Sequence, residues 1–349
     1  MTYEYEKVVT PASGLRLHLN ENTAGCAPAV IDALRSITCE EAAFYPDYSR
    51  AIAACAQHLG VKEQQLLLTN GLDEGILAAS VAALRGSADA DPFEAIVIVP
   101  AFDMYAACAD AAGGRVVEIQ QEDDYAFPLD RVLGAINART RIVFLTNPNN
   151  PTGLCIPRET ILSIAAAAPH ATVFLDEAYA DFSGTSMIGA RELHTRPNIL
   201  IGRTFAKAYG LAALRVGALI GDPERLARVR RVVPPYSLNV AAAVALPAAL
   251  ADTHHYQSYL RQCADSKRLL YAALERLSVK YWPSEANFVL ARFADRAPRV
   301  LAGLMERGVY VRDRSADAGC DGCIRITAGI VEHTQRCIDA MEEVLCEAP

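Results

Sequence analysis

RIVFLTNPNNPTG, residues 141–153, joins a short apolar run to a segment dense in Asn, Pro and Gly. The run is rich in β-branched and aliphatic residues and is short, which predicts a buried strand. The residues that follow it fix a rigid turn and present side-chain amides where the strand ends. A buried strand followed by a polar loop is therefore the unit from which the fold is predicted.

Runs of the same kind recur on both sides of this stretch, and helical patterns separate them, for example at residues 73–85 and 157–168. Alternating strands and helices imply a mostly parallel sheet with helices on both faces. We therefore predict an α/β fold whose large domain, residues 45–250, holds a mostly parallel sheet of the seven-stranded type. The other runs are AIVIV (95–99), RVVEI (115–119), ATVFLD (171–176), NILIGRT (198–204) and RVGALIG (215–221).

The pattern changes after about residue 250, where a long polar helix pattern is followed by short strand-like runs. These runs are ANFVLARF (286–293), GVYVRDR (308–314) and CIRITAGI (323–330). They predict a smaller α+β domain at residues 251–349. Residues 1–44 carry few strand signals, and we predict that they join this domain, which is then built from both chain ends.

The composition limits the class of protein. The 349 residues carry a formal net charge of −8, which disfavours nucleic acid or an anionic membrane as a partner. No run approaches the roughly 20 apolar residues that span a bilayer. Residues 1–14 also lack a basic stretch followed by an apolar run. We therefore expect a cytoplasmic enzyme that acts on small molecules.

Ten cysteines are scattered along the chain, and in a long chain without an export signal this pattern favours reduced thiols. Cys320 and Cys323 form a C-x-x-C pair, which is typical of half a zinc site or of a redox pair. No second pair or nearby His cluster completes a metal shell, so we predict no metal. We interpret the pair as a loop turn with two free thiols, and a redox role stays open.

Polar residues follow the predicted strands, and ligands bind at the carboxyl ends of the strands in such a sheet. Leu72 and Asp73 open a helix whose free N–H groups suit an anion such as phosphate. Tyr105 lies in the first turn of a helix just past a strand, where an aromatic face can stack on a flat ring. Each feature alone is also typical of an ordinary helix cap or a core residue.

Three further loops carry groups with distinct chemistry. Asn147 offers an amide after the quoted strand, and Asp176 and Tyr179 place a carboxylate and a phenol after the next one. The stretch RTFAKAYGLAALRVG (203–217) contributes Thr204, Lys207 and Arg215. Together the loops offer a lysine amine, a buried carboxylate, hydrogen-bond donors and an anion site, which are the groups that pyridoxal phosphate requires.

Over nearly its whole length the chain resembles the fold-type-I pyridoxal-phosphate aminotransferases of class I/II, and within them the histidinol-phosphate aminotransferase branch. Each motif is a weak match alone, but nine occur in the family's order and lie on the predicted strand ends. They are LHLNENTAG (17–25), FYPDYS (44–49), TNGLDE (69–74), NPNNPTG (147–153), DEAYADF (176–182), the lysine stretch (203–217), SEANFVL (284–290), GVYVRD (308–313) and CIRITAG (323–329).

The resemblance implies roles for the residues around the cofactor ring. Lys207 would form an imine with the cofactor and move the proton on the substrate carbon, while Asp176 would pair with the pyridine nitrogen. Asn147 and Tyr179 would hydrogen-bond the ring oxygen, and Tyr105 would stack on the ring.

The resemblance also implies a phosphate site that two copies of the chain share. Arg215, Thr204 and the backbone N–H groups of Leu72 and Asp73 would hold the phosphate. Tyr45 would reach in from a second copy, so a homodimer with shared active sites is expected.

For the substrate, the resemblance places Arg325, Arg312 and Asn22 in the donor site, where guanidinium groups suit an anion. The implied reaction moves an amino group from a small donor, histidinol phosphate or an aromatic amino acid, to 2-oxoglutarate by a ping-pong route. A decarboxylase similar to threonine-phosphate decarboxylase is the alternative, because the same cofactor stabilises a carbanion however it arises. A binding module that holds the cofactor without turnover is a third interpretation.

Overall fold

The computed structural model of the chain describes residues 11–86, 91–190, 193 and 195–346. Residues 1–10 of the predicted N-terminal segment and residues 347–349 of the predicted C-terminal domain lie outside the described residues. None of the helices in the described ranges combines the length and the apolar character that a bilayer crossing requires.

The strands of the described chain form three sheets. They are β1 (Leu15–Arg16), β2 (Leu66–Thr69), β3 (Glu94–Val99), β4 (Arg115–Gln120), β5 (Thr140–Thr146), β6 (Thr172–Asp176), β7 (Ile199–Thr204), β8 (Gly217–Gly221), β9 (Lys280–Trp282), β10 (Phe288–Arg292), β11 (Val309–Tyr310), β12 (Arg312–Asp313) and β13 (Cys323–Thr327). The central sheet has seven strands in the order β2-β8-β7-β6-β5-β3-β4. β8 runs antiparallel to both of its neighbours, and the other neighbouring pairs are parallel. The predicted mostly parallel sheet is thus confirmed.

Helices cover both faces of this sheet. The helices are α1 (Pro28–Arg35), α2 (Cys39–Ala43), α3 (Ser49–Leu59), α4 (Gly71–Leu84), α5 (Met104–Ala111), α6 (Leu129–Ala135), α7 (Arg158–Ala167), α8 (Ala180–Ser183), α9 (Pro223–Arg230), α10 (Val240–Ala251), α11 (Thr253–Arg276), α12 (Ala297–Glu306) and α13 (Val331–Cys346). Buried side chains of α1, α3, α6, α7 and α10 pack on one face, and those of α4, α5 and α9 pack on the other.

Because both faces are covered, the strands are apolar at consecutive positions. In β6, Val173 and Leu175 belong to the core on one face, whereas Phe174 belongs to the core on the other. The same alternation separates Ile201 from Leu200 in β7. Successive strand residues point to opposite faces, so burial of both faces produces the uninterrupted apolar runs seen in the sequence.

A second unit contains a four-stranded antiparallel sheet of order β12-β13-β10-β9, against which α11, α12 and α13 pack. Leu15 and Leu17 lie in the same core, and β1 pairs in parallel with β11. This α+β unit therefore draws on both ends of the chain, as predicted. Val30 of α1, in contrast, packs in the core under the large sheet. The boundaries placed at residues 44/45 and 250/251 stay a prediction.

Gly217 in β8 lies against the backbone where α4 begins, and this close contact leaves no room for a larger residue. A Cβ at this position would lie 2.7 Å from Leu72 N and 3.1 Å from Arg203 O. Backbone atoms cannot turn aside, so α4 or β7 would have to shift. We predict that Gly217→Ala lowers the free energy of unfolding by about 1–3 kcal/mol, the usual effect of overpacking, measured by urea denaturation.

Gly221→Ala in the same strand is the matched control. Its added Cβ would meet Leu200 Cδ1 at 3.2 Å and Ile199 O at 3.3 Å, and both contacts are longer than the 2.7 Å contact with Leu72 N at Gly217. A smaller loss of stability is therefore expected for Gly221→Ala. Equal losses for the two variants would contradict the assigned backbone contact.

Candidate active site

A cavity of about 400 Å³ opens at the carboxyl ends of β5, β6 and β7. Its wall contains most of the residues singled out in the sequence, although they come from distant parts of the chain. Those present are Leu72, Asp73, Tyr105, Asp176, Tyr179, Thr204, Lys207, Arg215, Arg312 and Arg325. Asn22, Tyr45 and Asn147 do not line the cavity.

The carboxylate of Asp176 is buried at the end of β6, with the residue only 3% exposed. Its Oδ2 accepts a hydrogen bond from the Tyr105 hydroxyl at 2.6 Å, and its Oδ1 accepts one from Ala178 N at 2.8 Å. Burial raises the pKa of the carboxyl group from 3.8 to about 6, and the two hydrogen bonds oppose that rise. A cation bound in the cavity would favour the ionised form of this carboxylate.

Tyr105 supports Asp176 from within the core, where the residue is 1% exposed. Its ring stacks on Phe144 with centroids 4.9 Å apart, and its hydroxyl accepts a hydrogen bond from Thr146 Oγ1 at 2.9 Å. One face of the ring is thus taken by Phe144, the residue also lines the cavity, and its role as a stacking face stays a prediction. Phe102, three residues earlier and just before α5, also lines the cavity and is an aromatic residue that the sequence did not single out.

Asn147 does not reach the cavity, and this corrects its predicted place. Its Oδ1 accepts a hydrogen bond from Ile156 N at 2.8 Å, so the side chain closes the turn after β5. Asn150, three residues later in the same motif, lines the cavity and accepts a hydrogen bond from Arg325. Both residues are asparagines in one Asn/Pro-rich turn, so composition could not distinguish them.

Asn22 is likewise a structural residue. Its Nδ2 donates to Ala208 O and its Oδ1 accepts from Ala24 N, both at 2.9 Å, which fastens the N-terminal segment beside the lysine loop. Asn20, two residues earlier, lines the cavity instead and donates to the Tyr179 hydroxyl at 3.0 Å. The placement of Asn22 in the donor site is therefore corrected.

One end of the cavity is suited to an anion. The side chain of Asn70 does not cap α4, whose first turn carries the N–H groups of Leu72 and Asp73. The Arg215 guanidinium lies over Gly71, where a Cβ would meet Arg215 Nη2 at 2.5 Å, and it pairs with Asp73 at 2.7 Å. A helix N-terminus beside a guanidinium group is a favourable place for a phosphate.

Lys207 lies between this anion site and the N-terminal segment. Its Nζ donates to Leu19 O at 2.8 Å, and the side chain is partly buried in the wall of the cavity. The amine is thus held by a neutral carbonyl oxygen and faces the same space as the Asp176 carboxylate. This arrangement allows the amine to react with a carbonyl compound bound in the cavity.

The opposite end of the cavity carries three arginines. Arg325 on β13 is 6% exposed, donates to His18 O at 2.8 Å, and lies opposite Arg312 in the β12–β13 register. Burial lowers its pKa to about 10. Arg314 was not singled out in the sequence. Arg314 lines the same wall and pairs with Asp317. It follows Arg312 by two residues in an extended segment, and this spacing predicts that the two side chains point to the same face.

Tyr45 lies outside the cavity on an exposed aromatic patch. It is 77% exposed and stacks on Tyr236 with ring centroids 4.2 Å apart. Phe44 beside it is 67% exposed.

The comparisons with known proteins agree with this site. The sequence model of the family described as aminotransferase class I and II matches residues 12–341. A histidinol-phosphate aminotransferase of Geobacillus sp. (strain WCH70) is 34% identical over 342 residues, covering 95% of this chain and 90% of that protein. Histidinol-phosphate aminotransferase 2 of Ralstonia nicotianae is 36% identical over 350 residues, covering 96% of this chain and 89% of that protein.

Solved structures give the same result. The crystal structure of a histidinol-phosphate aminotransferase from Sinorhizobium meliloti in complex with pyridoxal-5'-phosphate has a TM-score of 0.84 and 26% identity, covering 95% of this chain and 90% of that one. The chain therefore belongs to the class I and II aminotransferases. Within that family it is similar to the histidinol-phosphate aminotransferases, and the resemblance expected from the sequence is confirmed.

The buried carboxylate generates a prediction about pH and stability in the protein without any bound ligand. Because the pKa of Asp176 rises from 3.8 to about 6 on folding, the folded protein keeps a proton that the unfolded chain loses in that pH range. The contribution of Asp176 to the stability of the wild type therefore falls by about 3 kcal/mol as pH rises from about 4 to about 6. Asp176→Asn, which stays neutral, is expected to be the more stable protein above pH 6.

Urea denaturation of both proteins at a series of pH values measures this difference, and other titrating groups cancel in the comparison. Asp32→Asn, which changes a carboxylate on the exposed surface of α1, is the matched control and is expected to follow the wild type. The assigned burial would be wrong if Asp176→Asn and the wild type lost stability equally over this range.

Proposed function

We propose that the chain is a pyridoxal-phosphate-dependent aminotransferase that takes the amino group of histidinol phosphate and passes it to 2-oxoglutarate in two half-reactions. The observation that carries the proposal is the single cavity in which a lysine amine and a buried carboxylate lie between an anion site and a group of arginines. The names of the full-length relatives support the same donor.

The residues present fit this cofactor in charge and shape. The buried Asp176 carboxylate, with its raised pKa, suits a cationic ring nitrogen. The start of α4 together with Arg215 suits a phosphate dianion, and Phe102 offers an aromatic face in the wall. When bound, pyridoxal phosphate supplies an electron sink that stabilises negative charge on the substrate carbon.

Lys207 and Asp176 would divide the proton chemistry between them. Asp176 is held by the Tyr105 hydroxyl at 2.6 Å. The negative charge of its carboxylate would favour the protonated form of the cofactor's ring nitrogen. Lys207 Nζ would hold the cofactor covalently and, as a free amine, would carry the proton to and from the donor carbon. Tyr105 would act through Asp176 as a positioning residue.

Hydrogen bonds from two further side chains would orient the ring. Tyr179 would hydrogen-bond the ring oxygen, and the fixed position of its hydroxyl, which accepts from Asn20 at 3.0 Å, supports this role. Asn150 takes the place expected of Asn147, since it lies in the wall beside Arg325. Both groups are buried, so water would compete weakly for these hydrogen bonds.

The phosphate site and the exposed aromatic patch favour a homodimer. Thr204, Arg215 and the N–H groups of Leu72 and Asp73 would hold the cofactor phosphate within one chain. The patch of Phe44, Tyr45 and Tyr236 exposes more apolar area than isolated surface residues do. In a dimer Tyr45 would complete the phosphate site of the partner subunit.

The three arginines account for both substrates. Histidinol phosphate carries no carboxylate, so its anionic group is the phosphate, whereas 2-oxoglutarate carries two carboxylates. Arg325, with Arg312 and Arg314 in the same wall, would bind either anion in turn. A reaction in two half-reactions requires one site that binds two anionic substrates, one after the other. The decarboxylase alternative gains no support from a specific contact, and a threonine-phosphate decarboxylase structure at 24% identity shares only the fold.

Lys207→Ala is expected to abolish turnover, because no other amine takes its place in the cavity wall as described. Borohydride treatment of the wild type loaded with cofactor is expected to leave the cofactor attached to the peptide that contains Lys207. Lys62→Ala, which changes an exposed lysine, is the control and should behave as the wild type. Near-normal turnover by Lys207→Ala would rule out the assigned role.

The arginines distinguish the two classes of donor. For histidinol phosphate, Arg325→Ala and Arg312→Ala should each weaken donor binding by about 1.5–3 kcal/mol, the scale of a hydrogen bond to a charged group. For phenylalanine only Arg325→Ala should do so, since the donor has a single carboxylate. Half-reaction titrations of the wild type, both variants and the exposed control Arg35→Ala measure this.

If the wild type converts phenylalanine and leaves histidinol phosphate unchanged at every concentration, the proposed donor is wrong while amino transfer stands.

A further inference from the structure

A second cluster of polar and aromatic side chains lies apart from the active-site cavity. It contains two thiols, a phenol, a guanidinium group and an indole. This thiol cluster consists of Cys320, Cys323, Tyr125, Arg292 and Trp282. Both cysteines are fully buried, and they share the Tyr125 hydroxyl, which lies 3.3 Å from Cys320 Sγ and 3.9 Å from Cys323 Sγ. The two sulfurs are therefore held around one polar atom.

The backbone between the two cysteines forms a tight turn. Cys323 N donates to Cys320 O at 2.8 Å, and Gly322 has a φ of 63°. A Cβ at Gly322 would meet Ala294 Cα at 2.5 Å, so neighbouring backbone holds the turn in place. A hydrogen-bonded four-residue turn brings its end Cα atoms to within about 7 Å, close to the range that a disulfide spans. A disulfide between the two cysteines would need little movement of the chain.

The surroundings make the two thiols unequal. The hydrogen bond from Cys320 lowers the pKa of Cys323 to about 6, with help from Arg292 and Tyr125 and against the effect of burial. The pKa of Cys320 is raised, first by the same hydrogen bond and then by burial. The Arg292 guanidinium beside Cys323 favours the thiolate form of that sulfur, so we assign Cys323 as the nucleophile of the pair and Cys320 as the second thiol.

A small polar cavity of about 160 Å³ leads to this cluster. Tyr125, Arg292 and Gly319 belong to its wall, and the first two contact the sulfurs. The cysteines are too deep for a protein partner to reach, because each is fully buried. This cavity admits a small reactant as far as Tyr125 and Arg292, and a movement of these two side chains would bring it to the sulfurs.

We propose that Cys320 and Cys323 form an oxidisable dithiol that hydrogen peroxide converts into an intrachain disulfide. The Cys323 thiolate attacks one oxygen of the peroxide, the O–O bond breaks, and hydroxide leaves and takes up a proton to become water. The Cys320 thiol then attacks Cys323 Sγ, the S–S bond forms, and the hydroxyl leaves with the thiol proton as a second water. Two thiols are oxidised, and one peroxide is reduced to two waters.

The turn that carries the dithiol is connected to the arginine wall of the active-site cavity. Arg314 N donates to Cys323 O at 3.0 Å, and Arg325 follows Cys323 by two residues on β13. A change of the turn on oxidation would therefore be transmitted to both arginines. This consequence rests on the proposed function, whereas the oxidation itself does not.

The sequence supplies two readouts that are independent of activity. Trypsin releases residues 315–325 as one peptide that contains both cysteines of the pair and no other cysteine. Trp282 is the single tryptophan of the chain, and its ring lies 4.7 Å from that of Tyr125. A disulfide formed beside it quenches indole fluorescence on contact.

The experiment treats the holoenzyme with hydrogen peroxide, blocks remaining thiols by alkylation and maps the peptides by mass. The expected result is a 315–325 peptide that has lost two hydrogen atoms, with a matching fall in Trp282 fluorescence. Dithiothreitol should reverse both changes. The proposal is overturned if this peptide stays reduced while the exposed Cys39, Cys155 and Cys346 are oxidised.

Variants distinguish the two sulfurs. In Cys320→Ser the oxidation should stop with one oxygen added to Cys323, and in Cys323→Ser the peptide should remain unoxidised. Cys337→Ser changes a buried cysteine in the core of the second unit and should leave the oxidation of the 315–325 peptide unchanged. Equal reactivity of the two single variants would overturn the assignment of Cys323 as nucleophile, and the wild-type map decides the proposal if a variant does not fold.

Discussion

The carboxylate of Asp176 is almost entirely buried, at the end of a strand buried on both faces. A buried charge is unfavourable unless hydrogen bonds or an opposite charge stabilise it. Tyr105 and Ala178 supply hydrogen bonds from two sides, and Thr146 in turn fixes the Tyr105 hydroxyl. The end of β5, the start of α5 and the turn after β6 are thereby held in one arrangement, and the side of the carboxylate that faces the cavity is left for a ligand.

The cavity depends on both cores of the molecule. The sheet with β5, β6 and β7 supplies the carboxylate, the lysine loop and the anion site, whereas β12 and β13 supply the arginines. Rigid strands and their immediate turns hold these groups, so the distances between them are set by packing before any ligand binds.

Most of the fold could be predicted from the sequence because burial of both sheet faces leaves long apolar runs and short polar loops. The loop residues Lys207, Asp176 and Arg215 could also be predicted, since strand ends converge at one edge of a parallel sheet. The errors lie inside loops. Asn150 rather than Asn147, and Asn20 rather than Asn22, face the cavity because the local turn decides which of two like side chains points inward.

Residues 17–20 close one side of the cavity through contacts with the far end of the chain. Thr327 N donates to Leu17 O at 3.0 Å, and Arg325 donates to His18 O across 307 residues of sequence. The strand that carries Arg325 and Thr327 is synthesised after every strand of the large sheet. The nascent chain therefore possesses all the strands of that sheet before it possesses the residues that close this side of the pocket.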